Sequence, residues 1–104
     1  MTACSDLAAL QEILRERDSW HVWMIEYGIT HSLMSLALHD GSFPRHIRLE
    51  CRGCERFEGR LQGGPYRLEL TCSQEANGPI FDLRSADRTL RVTCAHIREV
   101  GRTT

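Results

Sequence analysis

The sequence predicts an α+β domain, one N-terminal amphipathic helix followed by a mostly antiparallel meander sheet of about five or six strands. Three observations carry this reading. One segment near the N-terminus repeats its leucines at helical spacing, whereas most of the remaining chain alternates apolar and polar residues with a period of two. Clusters of Gly, Pro, Asn and Asp punctuate that alternation at short intervals. With 104 residues, the chain has the length of one ordinary domain, so residues 1–104 are expected to share a single core.

The helix is expected from Ser5 to Asp18. Ser5 caps it, Asp6 complements the positive end of the helix dipole, and Leu7, Leu10 and Leu14 form its apolar stripe. Glu12, Arg15, Glu16 and Arg17 fill most of the other side, so the helix needs one partner surface. At Trp20 the pattern changes. The run WHVWMIEY is aromatic and β-branched and stops at Gly28, as a strand ending in a turn does. The next run, THSLMSLALH, alternates up to Asp40-Gly41 and reads as its hairpin partner, with the turn at Gly28-Ile29.

Three later segments share one pattern: Ile47-Arg48-Leu49-Glu50-Cys51, Leu68-Glu69-Leu70-Thr71-Cys72 and Leu90-Arg91-Val92-Thr93-Cys94. Each reads as a strand with one buried face, and each places its cysteine on that face. Pro44, Gly63-Gly64-Pro65 and Ser85-Ala86-Asp87-Arg88 precede them as turn signals, and Pro79–Leu83 after Asn77-Gly78 supplies a further strand. Ile47, Cys51, Cys54, Phe57 and Leu61 also fit a helical stripe. Gly53 and Gly59 inside it weaken a helix by about 1 kcal/mol each, so the strand reading is preferred, with Gly53 marking a bulge or bend.

Cys51-Arg52-Gly53-Cys54 is the most specific motif in the chain. The metal reading is a zinc site from Cys51, Cys54, Cys72 and either Cys94 or His96, since thiolate and imidazole are the ligands structural zinc takes. It lacks a second close pair of ligands, and cysteines that end neighbouring antiparallel strands lie at opposite ends, roughly 13 Å apart. A redox pair would need a helix N-terminus within a βαβ pattern, and neither is visible. Buried structural cysteines are therefore expected at Cys51, Cys72 and Cys94, all reduced, with no disulfide framework, no metal and no cofactor.

The histidines His21, His31, His39, His46 and His96 come without a nucleophile, a phosphate loop or a metal-binding helix motif. In the expected hairpin His31 faces Glu26 and His39 faces Asp18, which reads as polar cross-strand pairing rather than acid–base chemistry. An enzyme is disfavoured on these grounds.

All thirteen basic residues are arginine, interspersed with fourteen acids, for a net charge near zero. This is the composition of a bacterial-like, GC-rich coding sequence and argues against a nucleic-acid partner. No apolar run spans a membrane and no secretory signal is evident, so the expected location is the cytoplasm.

The expected hairpin places apolar residues on both faces, with Trp20, Val22, Met24 and Leu33 on the side away from the helix. One short helix covers one face only. The functional reading that follows is a small non-enzymatic interaction or assembly module, self-associating or docking a protein through those four residues, with a zinc-binding protein or small metal-dependent enzyme using the cysteines and His96 as its alternative.

Overall fold

The computed structural model describes residues 7–16, 19–28, 33–41, 46–60 and 62–103. A single helix α1 (Leu7–Arg15) is followed by strands β1 (Trp20–Gly28), β2 (Leu33–His39), β3 (His46–Arg52), β4 (Arg56–Glu58), β5 (Gln62–Tyr66), β6 (Leu68–Glu75), β7 (Gly78–Ser85), β8 (Arg91–Cys94) and β9 (His96–Thr103). The fold is α+β with antiparallel pairing throughout, as the alternation predicts. The strands divide into a five-stranded sheet, β5-β1-β2-β3-β9, and a four-stranded sheet, β4-β8-β7-β6. Two meanders, β1-β2-β3 and β6-β7-β8, supply three adjacent strands of each sheet, with β6 at the edge of the smaller one.

The inner faces share one core. Trp20, Val22, Met34, Leu36, Leu38, Ile47, Leu49 and Ile97 come from the larger sheet, and Leu68, Leu70, Phe81, Leu83 and Val92 from the smaller. Leu10 and Leu14 of α1 join the same cluster, so the helical stripe finds its partner between the sheets. Two hydrogen bonds pin the helix there. Trp20 Nε1 donates to the Leu14 carbonyl at 2.9 Å, and Gln11 Nε2 donates to the carbonyl of Leu70 on edge strand β6, also at 2.9 Å. The helix thereby covers a sheet edge that would otherwise present open acceptors. The expected cap, Ser5 and Asp6, and the expected helix end at Arg17 and Asp18 lie outside the described residues.

The opposite side is closed by the chain passing between sheets. β3 ends at Arg52 in the larger sheet and β4 begins at Arg56 in the smaller one, while β8 ends at Cys94 and β9 begins at His96. The two crossings are tied together: the amide of Ala95 donates to the Arg52 carbonyl at 3.0 Å and that of Glu55 to the Thr93 carbonyl at 2.9 Å. Gly53 makes this corner possible. It sits at φ 64°, and a Cβ there would meet the Ala95 Cβ at 2.9 Å.

Gly63-Gly64-Pro65, read as a turn, lies inside β5 and pairs with β1 through Trp20↔Tyr66 and Val22↔Gly63. Close approach explains the composition. A Cβ at Gly64 would lie 2.8 Å from the Trp20 carbonyl oxygen, and an edge strand tolerates the proline.

The β1–β2 register differs from the hairpin expected. His21 faces His39, Val22 faces Leu38 and Met24 faces Leu36, with a bulge before Glu26↔Ser35 and Tyr27↔Met34. The connection is longer than a turn at Gly28-Ile29 allows, and before the bulge, at His21–Met24, the pairing is displaced by an odd number of residues. Such a displacement exchanges the faces of one strand relative to the other. Trp20, Val22 and Met24 therefore share a face with Leu36 and Leu38, instead of opposing them. One fully apolar face results, and the second apolar face disappears.

Candidate functional site

Three of the four residues expected to form a binding surface, Trp20, Val22 and Met24, fall on the core side of the hairpin, whereas Leu33 alternates onto the outer face with Ser35 and Ala37. Trp20 and Val22 are buried at 2% and 1% exposure, and Met24 and Leu33 are half-buried. Trp20 faces the helix rather than away from it, as its bond to the Leu14 carbonyl requires. The corrected register is the physical reason.

The residues that β1 does expose are Trp23 (37%), Ile25 (40%) and Tyr27 (50%). The described β1–β5 pairing ends at Trp23↔Gln62. Among the described residues, no strand pairs with Ile25, Glu26 or Tyr27 on the side away from β2. The outer half of β1 is thus a short edge carrying large apolar side chains, with the bulge at its start. Sequence reasoning missed these residues because the shorter turn assigned them to the helix-covered face.

Trp23 stands on the outer face of the larger sheet, whereas the bulge between Met24 and Glu26 turns Tyr27 to the side of Met34; the neighbours of Trp23 on the outer face are small and charged. Trp23, Ala37, Arg48 and Gly101 lie in one cross-strand row, and Glu26, Ser35, Glu50 and Arg98 in the next. Arg98 contacts Glu50 at 3.2 Å, Arg52 contacts it at 2.8 Å, and Arg48 reaches Glu26 at 3.8 Å. The hydrogen bond from Arg52, aided by both arginine charges, holds the Glu50 carboxyl below its usual range. Long side chains beside Ala37 and Ser35 leave those two residues buried without a further layer.

The histidines gather at one end of this face. His21, His39 and His46 occupy one row across β1, β2 and β3, and the rings of His21 and His39 stack with centroids 5.2 Å apart. His39 is not opposite Asp18, and the expected His31–Glu26 pair lies outside the described residues; Glu26 faces Ser35. Burial, then the neighbouring His21, lowers the pKa of His39, with Asp40 opposing.

The cysteines behave differently from one another. Cys51 and Cys94 are buried, as the alternation predicts, at 0% and 1% exposure. Cys72 is half-buried and disulfide-bonded, which corrects the expectation that it is a buried, reduced thiol. Pairing depends on Cα atoms coming within about 4.4–6.8 Å, which cysteine spacing along a chain cannot report. The strand-end argument also changes. Cys72 and Cys94 flank Phe81 in one row, because β6 and β8 both pair antiparallel with β7 and so run in the same direction.

Cys51, Cys54 and Cys94 meet at the corner between sheets. Cys54 Sγ lies 3.5 Å from the Cys51 carbonyl oxygen, the Ala95 amide ties the Cys94 end to the Arg52 carbonyl, and the three thiols perturb one another's acidity. Hydrogen bonds from Cys51 and then Cys94 favour the thiolate of Cys54, lowering its pKa to about 4. Cys51 is raised, because it donates to Cys54 and Cys94 and is buried. Cys94 is pushed up to about 12; the hydrogen bond from Cys51 pulls it down, but its own bond to Cys54 and its burial outweigh that.

His96 lies on β9 opposite Arg52, with its Nδ1 buried and without a hydrogen-bond partner among the described residues. With Cys72 in a disulfide, the alternative zinc set does not assemble. Among the described residues, no group of three or more His, Cys, Asp or Glu side chains is arranged to hold a metal ion. No helix among them is long and apolar enough to cross a membrane. No protein-family model, no curated protein and no solved structure matches this chain.

Proposed function

We propose that the protein is a small non-enzymatic assembly module that associates with a second copy of itself through the outer half of β1. The observation that carries this reading is the clustering of exposed apolar side chains. Among the described residues, four large hydrophobic side chains are exposed, and three of them, Trp23, Ile25 and Tyr27, occupy one stretch of β1. Among the described residues no strand pairs with the outer backbone edge of Ile25–Tyr27, and an open apolar edge is a template for adding a strand. A second copy fits this chemistry because antiparallel pairing of two identical edges is self-complementary and closes under two-fold symmetry.

The test is the solution mass of the purified chain over a concentration series, compared with Ile25→Arg and Tyr27→Arg. The expected result is a dimer for the natural sequence and a monomer with unchanged circular dichroism for both variants, since the lost contacts are between copies. A natural chain that stays monomeric at about 100 μM, where even a weak specific dimer would be populated, overturns the proposal.

A further inference from the structure

The thiol corner is independent of the β1 edge and carries a chemistry of its own. Cys54 is half-exposed on the crossing between β3 and β4, and directly beneath it lie two thiols, Cys51 and Cys94, sealed from solvent. The three thiols lie close enough to perturb one another's acidity, and Cys54 Sγ is 3.5 Å from the Cys51 carbonyl oxygen. A solution oxidant can reach only the outermost thiol, and an oxidised sulfur there has Cys51 three residues away across the turn at Gly53.

We propose that Cys54 is a redox-active thiol, oxidised by a hydroperoxide and resolved by Cys51 into an intramolecular disulfide. In the first step the Cys54 thiolate attacks the O–O bond. A sulfur–oxygen bond forms, the peroxide leaves as the alcohol or water after taking up a proton, and the sulfur loses two electrons to give sulfenic acid. In the second step the Cys51 thiol attacks that sulfur. A sulfur–sulfur bond forms and water departs, carrying the hydroxyl of the sulfenic acid and the thiol proton. Cys51 is the resolving thiol because the turn at Gly53 holds the two residues together and folds Cys54 Sγ back over the Cys51 carbonyl. Cys94 contributes a hydrogen bond to the Cys54 sulfur, stabilising its thiolate. A small dithiol reductant restores the starting state.

Acidity supports the same assignment. A thiolate held by two thiol donors is present well below the ordinary thiol range, whereas Cys51 and Cys94 stay protonated. The attacking and resolving roles are thereby separated.

The experiment combines labelling and peptide mapping on the full natural chain. Iodoacetamide should label Cys54 first, at a rate nearly flat from pH 6 to 9, whereas an ordinary thiol accelerates by more than about 100-fold over that range. After one equivalent of hydrogen peroxide, mapping should recover a Cys51–Cys54 disulfide. Cys51→Ala should instead accumulate a dimedone-trappable sulfenic acid on Cys54, and Cys54→Ser should leave Cys51 and Cys94 unoxidised. Because Cys51→Ala alters the core, mapping of the natural chain stands as the decisive measurement. A Cys54–Cys94 disulfide overturns the assignment of Cys51. Ordinary pH dependence at Cys54, absence of any peroxide-induced disulfide, or thiols blocked by stoichiometric zinc until chelation each overturn the site as a whole.

Discussion

Replacing Trp20 and Trp23 by alanine, one at a time, distinguishes the observed register from the hairpin with the shorter turn. The two residues lie three apart on the same strand, yet Trp20 is 2% exposed and Trp23 is 37% exposed. Removing a buried tryptophan costs about 3–5 kcal/mol, from lost transfer energy and the cavity left behind. At Trp20 the Leu14 carbonyl also loses its 2.9 Å hydrogen bond, so the upper part of that range is expected. In a domain of about 100 residues, 1 kcal/mol moves Tm by roughly 4–8 °C, so Trp20→Ala should lower Tm by at least about 12 °C. Trp23→Ala removes a partly solvated side chain and should cost about 1 kcal/mol or less. Trp20→Phe keeps most of the apolar volume and isolates the hydrogen bond, with an expected loss of about 1–3 kcal/mol. Urea denaturation followed by far-ultraviolet circular dichroism, with m-values compared, reads all three. Equal costs at Trp20 and Trp23, or a cost below about 1 kcal/mol for Trp20→Ala, would refute the assignment of faces.

Ser85→Ala should destabilise by about 1–3 kcal/mol in the same assay, because the Ser85 hydroxyl accepts from the amides of Thr89 and Leu90 and donates to Asp87 at 2.6 Å. Gly53→Ala should lose about 1–3 kcal/mol from its left-handed backbone and the approach of Ala95; an unchanged Tm would contradict the corner geometry. Stability should also fall as the pH drops. His39 has a folded pKa below its unfolded value, so its contribution is complete above about pH 6.5 and is lost as pH falls through that value toward the folded one. His39→Gln should flatten Tm between pH 7 and 5, and an unaltered slope there would assign the effect elsewhere. Asp87 and Glu50, whose carboxyls are lowered by hydrogen bonds from Ser85 and Arg52 respectively, act in a separate and more acidic window.

Local chemistry was legible in the sequence wherever a period or a turn residue carried it. The leucines of the helix, the inward residues of Ile47–Cys51 and Leu90–Cys94, and the turns after Asn77 and at Ser85–Arg88 all stand where the pattern puts them. Period two fixes which residues of one strand share a face, since neighbouring side chains must alternate. It does not fix which face meets the core or which residue lies opposite. Those depend on the length of the connection and on contacts far along the chain. Hence Trp20 and Val22 turned out to be core, Trp23, Ile25 and Tyr27 surface, and Gly63-Gly64-Pro65 an edge strand shaped by the approach of Trp20. The thiol corner belongs to the same class. Cys51 and Cys94 are 43 residues apart in sequence and in different sheets, and they meet only because two crossings share one corner. Side-chain alternation is a property of a single strand, whereas the meeting of Cys51, Cys54 and Cys94 is a property of how two sheets close on each other.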